Sequence, residues 1–222
     1  MTHTLRAAAL LIGYPDAALR GMLPGIRSAL RDEDALSASR LSEIDALIDT
    51  LTRTDALDAE AAYVELFDRG RSTSLHLFEH VHGDSRDRGP AMIDLAQSYE
   101  KAGLFLAPGE MPDYLPVVLE FASTQPAPAA RAFLGEMTHI FNALFTALQK
   151  RESRYASVIG ALIELAGEKA HAVKLAPDEA LDDSWAEPLA FDGCSTHGQA
   201  APGSAQPIHL VRKTPVTEGA QS

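Results

Sequence analysis

Apolar residues recur every three or four positions along most of this chain, and this spacing restricts its fold more than any other feature. Leu41, Ile44 and Leu47 share one helix face, and the same spacing continues through residues 133–148 and 158–166. No segment alternates apolar and polar residues as a half-buried strand would, and β-branched residues are sparse. The pattern therefore predicts an all-α bundle of roughly eight or nine helices.

The composition changes after Ala176. Residues 177–222 open with an acidic stretch and continue into a run rich in Gly, Pro, Ser and Gln. Few large apolar residues remain there to offset the entropy lost when a chain becomes ordered. We therefore predict a helical domain at residues 1–176 and a flexible, irregular tail at residues 177–222.

The overall composition excludes several classes of partner. The 222 residues carry a formal net charge of −12, which disfavours nucleic acid and anionic membranes because both need clustered Lys and Arg. No apolar run approaches the roughly 18 residues that indicate a membrane span. The single cysteine, Cys194, allows no disulfide within the chain, as is usual in a reducing compartment. We expect a cytoplasmic protein that does not insert into the membrane.

Two dense polar clusters interrupt the helical pattern, at residues 77–89 and 110–121. Buried charges and imidazoles need partners, so we interpret both clusters as recognition surfaces. Two structural explanations stay open: a loop held by its own salt bridges, and a turn at Pro112 that caps and packs the following helix. Near the second cluster, Met111 and the apolar residues 104–106 are candidates to line a groove for an amphipathic peptide helix.

One metal motif is present. His76, Glu79 and His80 match the H-x-x-E-H pattern of inverted zinc peptidases, in which one helix face presents both imidazoles to the metal. A short match of this kind arises easily by chance, and Gly83 ends the helix one turn later. His80 and His82 would point to opposite sides of a helix. We therefore predict no metal site, no resident cofactor and no enzymatic activity, with a zinc peptidase as the alternative.

Three segments together resemble a known family. They are residues 62–68, residues 74–89, and residues 112–116 with the following Leu119-Glu120-Phe121. They are similar to the delta subunits of respiratory nitrate reductases (the NarJ proteins), assembly chaperones in the wider TorD/DmsD group of redox-enzyme maturation proteins. The resemblance extends from about Leu10 to about Ala172.

The resemblance implies both a fold and a function. The fold would be the TorD-like helical bundle. The protein would bind the N-terminal segment of the catalytic (alpha) subunit of nitrate reductase, hold this apoenzyme competent for molybdenum cofactor insertion, and delay its docking to the membrane. It would act as a monomer with at most weak self-association, outside the finished enzyme. A helical adaptor unrelated to metalloenzymes remains a further alternative.

The binding site is predicted where three elements converge: the helix of Tyr63 and Phe67, the loop from His80 to Arg88, and the turn from Met111 to Pro116. Exposed carboxylates there would orient basic residues of the partner, while apolar side chains would supply most of the affinity. The predicted partner-binding residues are Tyr63, Phe67, His80, His82, Asp84, Arg86, Asp87, Arg88, Met111, Asp113, Tyr114, Pro116 and Glu120.

Overall fold

A computed structural model of the chain describes residues 1–83 and 85–174; Asp84 and the predicted tail at 177–222 lie outside the described residues. The described part holds helices and no strand, which confirms the predicted all-α fold, and none of its helices has the length and hydropathy needed to cross a bilayer. Its elements are α1 (Thr2–Ile12), α2 (Ala17–Glu33), α3 (Ala38–Arg53), α4 (Ala56–Phe67), a 3-10 helix (Arg71–Thr73), α5 (Leu77–Val81), α6 (Arg88–Lys101), α7 (Leu115–Thr124), α8 (Ala127–Glu136), α9 (Thr138–Lys150) and α10 (Ala156–Ala166).

The described part contains ten α-helices, slightly more than the eight or nine expected from the sequence. Two features account for the difference. The helix α5 is only five residues long, and the apolar stripe from Phe133 to Leu148 is shared by two helices. Those two helices, α8 and α9, are separated at Met137, where the backbone leaves helical geometry.

Two helices, α1 and α10, form the centre of the core. Nine of the eleven residues of α10 are buried, and α1 buries seven of its own eleven. Helices that are apolar on nearly all sides are typically enclosed by neighbours. Accordingly, α1 packs against α7, α2 and α10, while α10 also packs against α8 and α9.

Polar side chains begin several helices. Asp16 accepts the backbone N–H of Leu19 at the start of α2, and Ser37 accepts that of Arg40 at the start of α3. The start of α1 is capped by a residue distant in sequence. The carboxylate of Glu33 accepts hydrogen bonds from the backbone N–H of Thr4 and from the Thr4 hydroxyl, both at 2.6 Å. Glu33 therefore connects the end of α2 to the beginning of α1.

An aromatic cluster attaches α4 to the rest of the bundle. The ring of Tyr63 lies 4.7 Å from Phe67, 5.5 Å from Tyr14 and 6.0 Å from Tyr155. The contacts of Tyr63 with Tyr14 and Tyr155 are edge-to-face, an arrangement that stabilises aromatic pairs beyond the burial of their area. The cluster fixes the position of α4 relative to the start of α10.

Candidate functional site

The two polar clusters found in the sequence are joined in the structure. The backbone N–H of Leu77 donates to the carbonyl of Asp113 at 3.0 Å, and the N–H of Leu115 donates to the carbonyl of Leu75 at 2.9 Å. These bonds flank an isolated antiparallel bridge between His76 and Tyr114. The short helix α5 and the turn from Met111 to Pro116 therefore form one unit.

The carboxylate of Asp113 lies at the centre of this unit. It is fully buried and accepts the backbone N–H of Phe78 at 3.1 Å; His76 Nδ1 lies 3.4 Å away and an Arg88 nitrogen 3.8 Å away. The sequence pattern predicts an exposed carboxylate at Asp113, and this is wrong. The first turn of α5 lacks a side-chain cap from its own N-cap residue, so Asp113 supplies the acceptor from another segment.

The two histidines of the zinc motif face different groups. His76 precedes α5, and its contact with Asp113 raises its pKa although burial opposes this. His80 places Nε2 at 2.8 Å from the carbonyl oxygen of Ser74, and burial lowers the pKa of its imidazole. Within residues 1–83 and 85–174, no three His, Cys, Asp or Glu side chains gather closely enough to hold a metal ion. The geometry gives the peptidase reading no support.

The helix α4 reaches this unit through two tyrosines. Tyr63 donates its hydroxyl to the carbonyl of Ile12 at 3.0 Å, and burial together with the Tyr114 hydroxyl raises its pKa. Tyr114 lies beside His76, with ring centroids 5.3 Å apart. The structure thus brings α4, α5 and the turn together, although Tyr63 and Phe67 are buried behind the surface.

The remaining predicted residues differ in exposure. Arg86, Asp87 and Glu120 are exposed, as is Met111 at 42% of its surface. The others that the structure describes are half-buried: His80, His82, Arg88, Tyr114 and Pro116. Only part of the predicted set can therefore touch a partner directly.

An apolar groove of about 340 Å³ lies between α1, α7 and the loop at residues 102–110. Of the described residues in the predicted partner-binding set, Glu120 lines it, together with the groove candidates at residues 104–106. The apolar and aromatic lining of this groove, called here the α1–α7 groove, consists of Leu10, Tyr99, Leu104, Phe105, Leu106, Val117 and Phe121, with Arg6, Glu110 and Glu120 among its polar residues.

Sequence reasoning found part of this lining and missed the rest. The residues 104–106 and the neighbouring Met111 are conspicuous because they are apolar residues in a loop. Leu10, Val117 and Phe121 belong to helices whose other apolar faces are buried, so nothing in the spacing marks them as groove residues. Arg6 is weakly indicated as a groove residue by the sequence, since it is the only charged residue of α1.

A second cavity, of about 510 Å³, lies between α3, α4 and the connection from α9 to α10. Leu47, Leu51, Tyr63, Leu66 and Tyr155 are among its lining residues. It shares Tyr63 with the predicted site and no residue with the α1–α7 groove. The α1–α7 groove and this cavity are therefore separate depressions.

Comparison with known proteins places these features in a family. The family model for the nitrate reductase delta subunit matches residues 16–159. The chain is 44% identical over 185 residues to the nitrate reductase molybdenum cofactor assembly chaperone NarJ of Escherichia coli (strain K12), covering 82% of this chain and 77% of that protein. It is 42% identical over 166 residues to the probable assembly chaperone NarW of the same organism, covering 73% and 68%.

A solved structure shares the architecture. The crystal structure of a protein described as a redox enzyme maturation protein, from Archaeoglobus fulgidus, aligns with a TM-score of 0.56 over 76% of this chain and 94% of that one, at 20% identity. At this identity the likeness concerns the fold. Together with the family match over residues 16–159, it leads to one conclusion: the chain belongs to the nitrate reductase delta subunit family.

Proposed function

We propose that this protein is an assembly chaperone for a respiratory nitrate reductase. It binds the N-terminal segment of the catalytic subunit, keeps the apoenzyme competent for insertion of the molybdenum cofactor and delays membrane docking. The family match supports this role, and so do the names of the relatives, which describe assembly rather than a reaction. The protein acts in the cytoplasm as a monomer, without a cofactor of its own.

The observation that carries the binding site is the α1–α7 groove. Phe105 exposes 80% of its surface at its edge, and Leu10 exposes 36%. Apolar side chains exposed together beside a concave surface are typical of interaction sites. A helix laid into such a groove buries its apolar face there, with residues spaced by three and four as anchors. The N-terminal segment of the catalytic subunit is proposed to bind as such a helix.

The polar residues of the groove favour a basic partner. Glu120 makes no ion pair within the described part of the chain, and the carboxylate of Glu110 accepts only the backbone N–H of Ala107, at 2.9 Å. Arg6 is turned to Ser123, with Nε 3.3 Å from its hydroxyl oxygen. Two carboxylates beside an apolar surface attract Lys or Arg and orient the bound segment, mainly through the association rate.

The second polar cluster adjoins this groove. Glu110 and Glu120 line it, and the turn from Met111 to Pro116 runs directly into α7, which forms part of the groove. Asp113, Tyr63 and Phe67 support that turn from the inside. The exposed residues Arg86 and Asp87, with half-buried His80, His82 and Arg88, are proposed to contact a more distant part of the catalytic subunit.

Calorimetric titration with a synthetic peptide of the catalytic subunit's N-terminal segment tests the proposal. We expect Phe105→Ala to weaken binding at least about tenfold, because truncating an apolar anchor removes a dominant contact. Leu57→Ala is the matched control, since Leu57 is 76% exposed on α4 and lines neither cavity. If Phe105→Ala and Leu57→Ala bind the peptide with equal affinity, the binding site lies outside the α1–α7 groove. Co-purification with the catalytic subunit separates the chaperone from an unrelated adaptor.

A further inference from the structure

The helix α6 is packed differently from the other long helices. Only Tyr99 is buried among its 14 residues, and Ile93 exposes 60% of its surface. No other helix in the described part of the chain makes an extensive contact with α6. Segments with few buried apolar contacts open most readily in native proteins.

Polar contacts near its two ends attach α6 to the bundle, and they differ in strength. At its first residue, an Arg88 nitrogen lies 3.4 Å from Glu79 and 3.8 Å from Asp113, both long distances for a partly exposed ion pair. Near its last turn, the Tyr99 hydroxyl donates to the carbonyl of Pro112 at 2.8 Å, and its ring lies 4.6 Å from Phe121. Tyr99 is therefore the principal attachment.

The loop that follows α6 carries one wall of the α1–α7 groove and is folded mainly on itself. The backbone N–H of Leu104 donates to the carbonyl of Tyr99 at 3.0 Å, and the N–H of Glu110 donates to the carbonyl of Ala107 at 3.0 Å. Between these bonds, Phe105 projects into solvent. The groove wall at residues 104–106 is thus connected to the bundle chiefly through Tyr99.

Glycines bound this wall on both sides. Gly103 and Gly109 have φ of +80° and +90°, in the left-handed region that other residues adopt at a cost. An added Cβ at either position would meet no atom within 4 Å, so neither glycine is there to relieve crowding. Both positions therefore require the backbone freedom of glycine, and this freedom would let the chain rotate at each of them.

We propose that residues 103–109 form a flap that closes over a segment bound in the α1–α7 groove. The backbone of Gly103 and Gly109 supplies its pivots. Tyr99 is the positioning residue that holds the flap in its open position. The loosely packed helix α6 shifts when the flap moves. The closed flap brings Phe105 onto the bound segment, which would account for a large aromatic side chain left in solvent. The closing step rests on the proposed function, whereas the mobility of the flap does not.

Hydrogen exchange on the full chain, read by mass spectrometry, tests the flap. In the free protein we expect the amides of residues 88–110 to exchange faster than those of α1, α7 and α10. Tyr99→Phe removes the bond to Pro112, so exchange at residues 88–110 should rise about two- to tenfold with the other helices unchanged. Tyr155→Phe is the matched control, because its buried hydroxyl has no hydrogen-bond partner among the described residues.

The outcomes separate the two proposals. If the N-terminal peptide binds, the amides of residues 103–109 should be protected at least about tenfold, and unchanged exchange there overturns closure. If the peptide does not bind, the proposed function fails, and exchange in the free protein still decides the flap. Exchange at residues 88–110 as slow as in α7, or a Tyr99→Phe effect no larger than that of Tyr155→Phe, overturns it.

Discussion

The carboxylate of Asp113 accepts a hydrogen bond from the backbone N–H of Phe78, 35 residues earlier in the chain, at 3.1 Å. This bond connects the two polar clusters that interrupt the helical pattern of the sequence. Because α5 is only five residues long, its stability depends on contacts outside itself. The side of the molecule that holds Tyr114 and His80 is therefore organised by one buried carboxylate.

Replacing Asp113 should destabilise the protein. Asp113→Ala leaves the N–H of Phe78 and the imidazole of His76 without their acceptor, so we expect the free energy of unfolding in urea to fall by about 2–3 kcal/mol. Asp113→Asn keeps an acceptor oxygen and should cost less. The exposed Asp87→Asn serves as control. Parent-like unfolding of Asp113→Ala would show that α5 needs no cap.

The contact between His76 and Asp113 makes part of the stability depend on pH. The hydrogen bond to Asp113 raises the pKa of His76 above 6.5, while burial opposes this. Stabilisation by the protonated imidazole should therefore be complete below pH 6.5 and be lost as the pH rises through the folded-state pKa. The difference in unfolding free energy between the parent and His76→Gln, followed from about pH 5 to pH 9, should shrink with rising pH.

His80 contributes a trend of opposite sign. Burial lowers its pKa below 6.5, so the folded state binds this proton less readily than the unfolded state does. An NMR titration that resolves both imidazoles should find His76 titrating above pH 6.5 and His80 below it. Titration of both rings at one common pH would contradict the opposite effects of Asp113 on His76 and of burial on His80.

Glu33 should stabilise the protein at neutral pH and lose this effect in acid. Although burial alone would raise its pKa, hydrogen bonds from the Met1 ammonium, the Thr4 hydroxyl and the backbone of Thr4 and His3 lower it to about 2, against an ordinary value of 4.5. Its contribution is therefore lost as the pH falls from 4.5 towards 2. We expect Glu33→Gln to cost about 2–3 kcal/mol at pH 7, and the exposed Asp32→Asn almost nothing. Equal melting temperatures of the two variants at pH 7 would refute this assignment.

Two phenylalanines should behave in opposite ways. Phe67→Ala removes a buried ring that contacts Tyr63 and Tyr155, and should cost about 3–5 kcal/mol of folding stability. Phe105→Ala removes a ring that is 80% exposed, and should change stability by less than about 0.5 kcal/mol. Urea denaturation of both variants measures the contrast. A marked loss of stability in Phe105→Ala would mean that any binding defect it shows reflects misfolding.

The fold was predictable because helical spacing records which side of each helix is buried. Leu41, Ile44 and Leu47 share one face in the sequence, and Ile44 and Leu47 are buried in the structure. The break at Met137 was not predictable in this way, because the apolar spacing continues across the point where the backbone leaves helical geometry. Periodicity reports burial, and it does not report where one helix ends and the next begins.

The candidate site was less accessible to sequence reasoning. The sequence predicts that the two polar clusters converge, but it also predicts a surface position for Asp113, since nothing in the sequence shows that Phe78 lies beside it. The α1–α7 groove combines residues separated by about a hundred positions, such as Leu10 and Phe121. Such combinations depend on tertiary packing, which the spacing of a single helix does not specify.

The central position of α1 has a consequence for biosynthesis. This helix is translated well before two of the helices that enclose it, since α7 begins only at Leu115 and α10 at Ala156. The part of its apolar surface that α2 does not cover therefore stays without partners until more than a hundred further residues have been translated, and contacts so distant in sequence form slowly. This protein is proposed to shield another chain during maturation. While it is being synthesised, it carries an apolar helix that itself needs shielding.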